Sequence, residues 1–197
     1  LVALVVALLV VWLSPSKRTA LVFLAVGQGD AALFPTEGRS VLIHTGPASA
    51  GERIVIPELR RRGVKKLDLV LLSHPDADHV AALPAIARKV RIVAIAIPSY
   101  FRDHPDMRRF LEEAKIPLSK VSWIAGPSDA RIGAFNLHMD VPPYPPGTVD
   151  NEGSLMARIS SGSASVTFTG DAGFLEEFEM MKRGSWSSQI LKLGHHG

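Results

Sequence analysis

Ser73-His74-Pro75-Asp76-Ala77-Asp78-His79 is the stretch on which the reading of this chain turns. His74, Asp76, Asp78 and His79 put four metal-ligand side chains within six residues, directly after Leu67 to Leu72, a run that reads as a buried strand. Carboxylates and imidazoles are costly to crowd together, because like charges repel and dehydrated carboxylates need a cation to share. A bound divalent metal removes that cost. The plainer reading is a polar loop capping a helix that begins near Val80, with Asp78 as its N-cap. One His and one Asp would fit it; an H-x-D-x-D-H array at the tip of a hydrophobic strand points to metal.

Two further strands end in ligand-type residues. Val166-Thr167-Phe168-Thr169-Gly170-Asp171 ends in Gly-Asp, and Ile190-Leu191-Lys192-Leu193-Gly194-His195-His196-Gly197 ends in Gly-His-His-Gly. Glycine beside a strand end lets backbones crowd around an ion. A lone Gly-Asp is usually a turn, and it gains meaning here from the other two tips. The chain has no cysteine. That excludes disulfides, thiolate metal sites and cysteine nucleophiles, so nitrogen and oxygen must hold any metal. No Ser-His arrangement is evident either.

With 197 residues, 47% of them hydrophobic, the chain can bury one substantial core. Ala20 to Val26 and Ala31 to Phe34 read as strands around the tight turn Gly27-Gln28-Gly29-Asp30, and Val41 to Ile43 as a third, ending at His44-Thr45-Gly46. Glu52 to Arg62 has helical spacing, with Gly63 as its stop. Strand Leu67 to Leu72 and a helix from Val80 to Lys89 follow, then strand Arg91 to Ile97 and a helix from Pro105 to Ala114. Beyond Ile116 the pattern changes to short strands at Val121 to Ile124, Phe135 to Met139, Leu155 to Ile159 and Val166 to Thr169. A proline-rich loop at 142–147, a helix from Phe174 to Lys182 and a strand from Gln189 to Leu193 complete it. Helices between strand groups imply sheets with helices on their outer faces.

Leu1 to Leu13 is uninterruptedly apolar and ends in Trp12-Leu13. It is too short to span a bilayer alone. Because the chain opens on Leu and stops just after a His pair, it reads as a piece of a longer protein, with this run as the exit half of a membrane helix and Trp12 at the interface. The net charge of +3 is modestly basic, with clusters at Arg60-Arg61-Arg62, Lys65-Lys66, Arg88-Lys89 and Arg108-Arg109. Such clusters attract phosphate backbones, although each alone is more often a solvated helix face.

Taken together and in this order, the three strand tips resemble the metallo-β-lactamase fold, an αββα sandwich of two mixed sheets with outer helices. Phe23 to Ala31, Ser73 to His79, Asn151 to Ile159, Thr169-Gly170-Asp171 and Leu191 to Gly197 are similar to one branch, the hydrolase domain of the ComEC family of DNA-uptake membrane channels. The resemblance covers about residues 20–197, leaving 1–19 as the end of a transmembrane helix and a short linker, with the domain truncated at its C-terminus. It implies a metal-dependent phosphodiesterase or nuclease that hydrolyses the non-transported DNA strand with metal-activated water. The implied partners are DNA, in single-stranded form, the membrane through the N-terminal segment and the channel, and other DNA-uptake proteins. The implied location is the bacterial cytoplasmic membrane with the hydrolase domain outside it, although Lys17 and Arg18 after the apolar run lean the other way.

Residue by residue, the resemblance makes Asp78, His79 and His195 one metal position, with Asp171 bridging to a second that uses His74 and Asp76. His196 is the other member of its pair, pointing to the opposite face of its strand. Asp76, Asp78 and Asp171 carry the catalysis, Asp76 as proton acceptor. Asp76 stands where the wider superfamily has His, and the harder, more anionic site favours Mn²⁺, with Mg²⁺ or Zn²⁺ as alternatives and one or two ions bound. Two departures stand out. The family has Asp where this chain has Ala25, and Asp in the segment Ile43-His44-Thr45-Gly46, where the carboxylate supports the metal loop from behind. His44 would replace it only partly, and a carboxylate restored there is expected to tighten metal binding. Asn151 and Ser154 stand where other members have a further His, and His138 reads equally as a half-buried His or a ligand. These departures motivate rival readings: an impaired DNA-binding or channel-regulating module, or a small-molecule hydrolase of lactone or β-lactam type.

Overall fold

Alternation of side chains across each strand sorts this sequence into two cores. The computed structural model describes residues 19–36, 38–143, 151–184 and 186–194. Leu1 to Leu13, read as part of a membrane helix, lies outside the described residues, as do 144–150, which include most of the proline-rich loop, and both His195 and His196. No helix among the described residues is long and apolar enough to cross a membrane.

The first half of the chain runs through β1 (Val22–Phe23), β2 (Ala32–Thr36), β3 (Arg39–Ile43), β4 (Lys66–Leu67), β5 (Leu69–Leu71), β6 (Arg91–Ile92), β7 (Ile95–Pro98) and β8 (Val121–Ile124). Strands β1-β2-β3-β5-β7-β8 lie side by side in that order as a six-stranded sheet, antiparallel from β1 to β3 and parallel from β3 to β8. The second half gives β9 (Ser128–Ile132), β10 (Phe135–Asp140), β11 (Met156–Ser161), β12 (Ala164–Phe168) and β13 (Ile190–Lys192), a five-stranded sheet in the order β13-β12-β11-β10-β9. Its one parallel pairing among the described residues is β12 with β13.

Leu69 and Leu71 face the second sheet, joining Phe34, Val41 and Ile43 against Leu137, Ala157, Ile159 and Phe168. Their neighbours Val70 and Leu72 face the other way, into a core shared with the helices. A parallel strand buried on both faces therefore shows no alternation in sequence, as the run Leu67 to Leu72 illustrates. Phe34 sits between the rings of Phe135 and Phe168, edge-on to both, with centroids 5.7 and 5.8 Å away. Losing one such ring to alanine costs about 3–5 kcal/mol.

The helices α1 (Ala48–Ala50), continuing through a π-helical turn Gly51–Val55 into α2 (Ile56–Arg61), then α3 (Ala77–Val80), α4 (Leu83–Ala87) and α5 (Pro105–Glu113) belong to the first half of the chain. Val55, Leu59, Val80, Leu83, Ile86, Met107 and Phe110 bring them onto the outer face of the six-stranded sheet. On the other side α6 (Phe174–Arg183) covers the second sheet through Met180, packed with Met156 and Trp186. The layers are those of the αββα sandwich expected from the sequence.

Local differences have local causes. Asp68 interrupts the expected strand Leu67 to Leu72, because its backbone N–H goes to Ser40 and its carboxylate is held by Arg39 at 2.8 Å, Lys66 at 2.9 Å and the Ser40 amide at 3.0 Å. The helix expected from Val80 begins three residues earlier, at Ala77, and restarts at Leu83, where Pro84 occupies the first turn. Its N-cap is Asp76, with no side-chain capping bond, so Asp78 is not the cap. Strand β9 was not legible, since its residues are half-buried and exposed in turn at a sheet edge. Some of the basic-cluster residues are paired on the surface: Arg61 and Arg62 share Glu58, Arg108 pairs with Asp103, and Arg109 with Asp106.

Candidate metal centre

The candidate ligands that cluster lie just beyond the carboxyl ends of strands, on loops or, for Asp78 and His79, in the short helix α3. His74, Asp76, Asp78 and His79 follow β5, Asp171 follows β12, and His44 follows β3. Two glycines let these loops touch. A Cβ on Gly29 would lie 2.3 Å from the carbonyl oxygen of Asp78, and one on Gly170 would lie 2.8 Å from Ser154 and 2.9 Å from Ser73. Gly170 also has a φ of +61°, in the left-handed region.

Asp171 is the hub. Its side chain is fully buried, and Oδ2 lies 3.3 Å from His79 Nε2 and 3.8 Å from His74 Nε2. These three donor atoms all fall within 4.8 Å of one another. Asp76 Oδ2 approaches His74 Nε2 at 3.8 Å and Asp78 Oδ2 approaches His79 Nε2 at 3.9 Å, both from partly exposed positions. The geometry thus brings together His74, Asp76, Asp78, His79 and Asp171, with each imidazole between its own rim carboxylate and the shared Asp171. Two imidazole nitrogens and a buried carboxylate converging in this way are the donor set that a divalent cation takes, and the residues fit one. His138 is elsewhere: it hydrogen-bonds Asp129 at 2.8 Å and packs on Trp186, so it is no part of this cluster.

Behind these residues lies a second buried layer that the sequence reading did not assemble. His44 adopts a φ of +54°, a conformation that costs a non-glycine residue about 1–2 kcal/mol. Its amide is anchored to Leu71 O at 2.8 Å. The turned backbone aims the ring so that Nδ1 lies 3.1 Å from Asp30 Oδ2 and 3.3 Å from His79 Nδ1, while Nε2 lies 2.7 Å from Ser73 Oγ. Ser73 Oγ is in turn 2.7 Å from His74 Nδ1, and Ser154 Oγ is 3.3 Å from the same nitrogen. Ser154 also accepts the Asp171 amide N–H at 3.2 Å. Asp30, His44 and His79 form a second set of donor atoms within 4.8 Å of one another. Lys192 Nζ already stands 3.3 Å from Asp30 Oδ2 and supplies the positive charge there, so this set reads as a hydrogen-bonded support.

Asp30 was missed because Gly27-Gln28-Gly29-Asp30 reads as a turn. The signal was nonetheless present: Gly29-Asp30 repeats the Gly-Asp pattern that singled out Asp171. Burial alone would raise the Asp30 pKa, but the hydrogen bond and charge of His44, with the charge of Lys192, outweigh it and lower it from 3.8 to about 2. Burial holds the His44 pKa below its usual value, against the pull of Asp30. A depressed carboxylate contributes stability above its unfolded pKa and loses it as pH falls through the folded value. Urea unfolding of the metal-free protein should therefore find Asp30→Asn less stable by roughly 2 kcal/mol at neutral pH. That difference should narrow as pH falls from about 4 towards 2; a constant difference would contradict it.

The structure reverses the expectation for His44. The supporting carboxylate is already supplied by Asp30, one imidazole further back, and a carboxylate at position 44 would be a second buried anion beside it with only Lys192 to share. Calorimetric titration should find that His44→Asp binds Mn²⁺ about ten- to a hundredfold more weakly. Tighter binding would restore the sequence-based expectation.

Comparisons with known proteins agree with the fold. The profile of the Metallo-beta-lactamase superfamily matches residues 24–195. The chain is 28% identical over 190 residues, 87% of its length, to ComE operon protein 3 of Bacillus subtilis (strain 168), and 28% identical over 185 residues, 93% of its length, to Competence protein ComA of Neisseria gonorrhoeae. It spans about a quarter of each of those relatives, 24%. Among solved structures, the metallo-beta-lactamase SMB-1, bound to 2-mercaptoethanesulfonate, superposes with a TM-score of 0.66 at 13% identity, covering 93% of this chain and 82% of that one.

Proposed function

The chain belongs to the metallo-beta-lactamase superfamily, whose members are usually metal-dependent hydrolases, and from that premise we propose that it is a metal-dependent phosphodiesterase acting on DNA. The observation that carries the reading is the convergence of His74, His79 and Asp171 on one point, flanked by the carboxylates of Asp76 and Asp78. Similarity to competence proteins supports DNA as the substrate.

In this reading His74, His79, Asp78 and Asp171 hold the cation, with His195 and His196 as further ligands. Mn²⁺ is favoured by the carboxylate-rich set, where zinc is typical of the fold. A bound divalent ion would supply Lewis-acid stabilisation of phosphoryl charge and a water acidic enough to attack at neutral pH. Asp171 orients both imidazoles from a dry position. Asp76, at the rim beside His74, accepts the proton released on hydrolysis. Residues 1–19 tether the domain to a bacterial cytoplasmic membrane, with the domain outside it.

The test compares Mn²⁺-dependent turnover of bis(p-nitrophenyl) phosphate and single-stranded DNA with turnover of lactone and β-lactam substrates. Chelator-sensitive cleavage of both phosphodiesters supports the reading. Turnover confined to lactones or β-lactams overturns it, and DNA binding without any cleavage would favour the channel-regulating module.

A further inference from the structure

Asp30, His44 and Ser73 have the connectivity of an acid-imidazole-hydroxyl triad, with Asp30 on Nδ1 at 3.1 Å and Ser73 on Nε2 at 2.7 Å. Burial decides what the arrangement does. Ser73 has no exposed surface, and its oxygen is shared with His74 Nδ1 at 2.7 Å, so no substrate reaches it as a nucleophile. We propose that the line Asp30-His44-Ser73-His74 is a proton-ordering relay that fixes the tautomer of His74, leaving its Nε2 lone pair directed at the metal position. The proposal rests on the reading of His74 as a ligand.

Each link follows from donor and acceptor inventory. Asp30, ionised and paired with Lys192, only accepts, so the proton of neutral His44 sits on Nδ1. Nε2 of His44 is then an acceptor, and the Ser73 hydroxyl donates to it. With its hydrogen committed, Ser73 Oγ accepts from His74, which places the His74 proton on Nδ1. Nε2 of His74 is left with its lone pair, 3.8 Å from the oxygens of both Asp76 and Asp171. Reverse the proton on His44 and every link reverses: Ser73 donates to His74, and the hydrogen moves to the nitrogen that a metal needs bare. His79 Nδ1 lies 3.3 Å from His44 Nδ1, farther than the Asp30 oxygen, so the His44 N–H is directed to Asp30. Asp30, His44 and Ser73 are positioning residues, acting on a ligand without touching the reacting atoms.

The experiment is a long-range ¹H–¹⁵N correlation on metal-free, ¹⁵N-histidine-labelled full chain at one fixed neutral pH, which reads each imidazole tautomer, together with Mn²⁺ titration. Wild type should show His74 protonated on Nδ1 alone. Asp30→Asn keeps the shape but removes the obligatory acceptor, so His74 should become a mixture of tautomers and Mn²⁺ affinity should fall about ten- to a hundredfold. In a Ser73→Ala background the same change should alter neither, since the line is already cut. Three results would each overturn the relay: wild-type His74 carrying its proton on Nε2, Asp30→Asn leaving His74 wholly on Nδ1, or an Asp30 effect that persists without Ser73. Should Asp30→Asn not fold, Ser73→Ala alone decides: it must weaken Mn²⁺ binding by a similar factor, and unchanged affinity overturns the relay. Absence of phosphodiester cleavage with these spectra as expected would sink the hydrolase reading and leave the relay standing.

Discussion

Asp171→Ala is expected to lower Mn²⁺ affinity by more than about a hundredfold, beyond the range typical of losing a supporting partner, and to abolish phosphodiester cleavage. Asp171 is the one described carboxylate that faces both imidazoles, at 3.3 Å from His79 and 3.8 Å from His74, and it does so from a fully buried position. Removing it leaves the two histidines with no shared anion between them, only the partly exposed carboxylates of Asp76 and Asp78 at the rim. The fold should survive. The backbone N–H of Asp171 still donates to Ser154, which keeps the loop in place. Calorimetric titration reads the first effect and urea unfolding the second. Affinity within a few-fold of wild type would mean that the cation, if bound, sits elsewhere.

Asp78→Ala is the second large effect, with a different physical character. Asp78 approaches His79 at 3.9 Å from a partly exposed position, and its structural contribution is its backbone carbonyl, which accepts the Asp30 N–H at 3.3 Å. Truncating the side chain leaves that bond intact, so stability should stay within about 0.5 kcal/mol. Mn²⁺-dependent cleavage should be lost all the same, because a ligand of one metal position is gone while the core stays closed. Wild-type cleavage by a chelator-sensitive Asp78→Ala protein would remove Asp78 from the ligand set.

The sequence exposed the candidate ligands more readily than the layer behind them. Candidate ligands declare themselves by type and spacing: His74, Asp76, Asp78 and His79 crowd directly after strand β5, and Asp171 is marked by the glycine before it. The layered architecture was also legible, since most strands of the sandwich run into a glycine, a proline or the candidate-ligand segments. Boundaries were less so. Asp68 breaks a strand through contacts with Arg39, Ser40 and Lys66, two of which come from a different strand. The support layer was illegible for the same reason. Asp30, His44 and Ser73 are 14 and 29 residues apart along the chain, and only the left-handed turn at His44 brings its ring between the other two. Reading His44 as an imperfect stand-in for a carboxylate was reasonable from sequence, because nothing local shows that Asp30 lies behind it.

The central claim, that His74, His79 and Asp171 converge to hold a divalent cation, is tested most directly by diffraction from crystals soaked in Mn²⁺, with anomalous scattering to locate the ion. The account predicts an ion within roughly 2.0–2.6 Å of Asp171 Oδ2 and of at least one of the two Nε2 atoms. A saturating soak that leaves no anomalous peak between these three side chains, or that places the ion away from them, would contradict it.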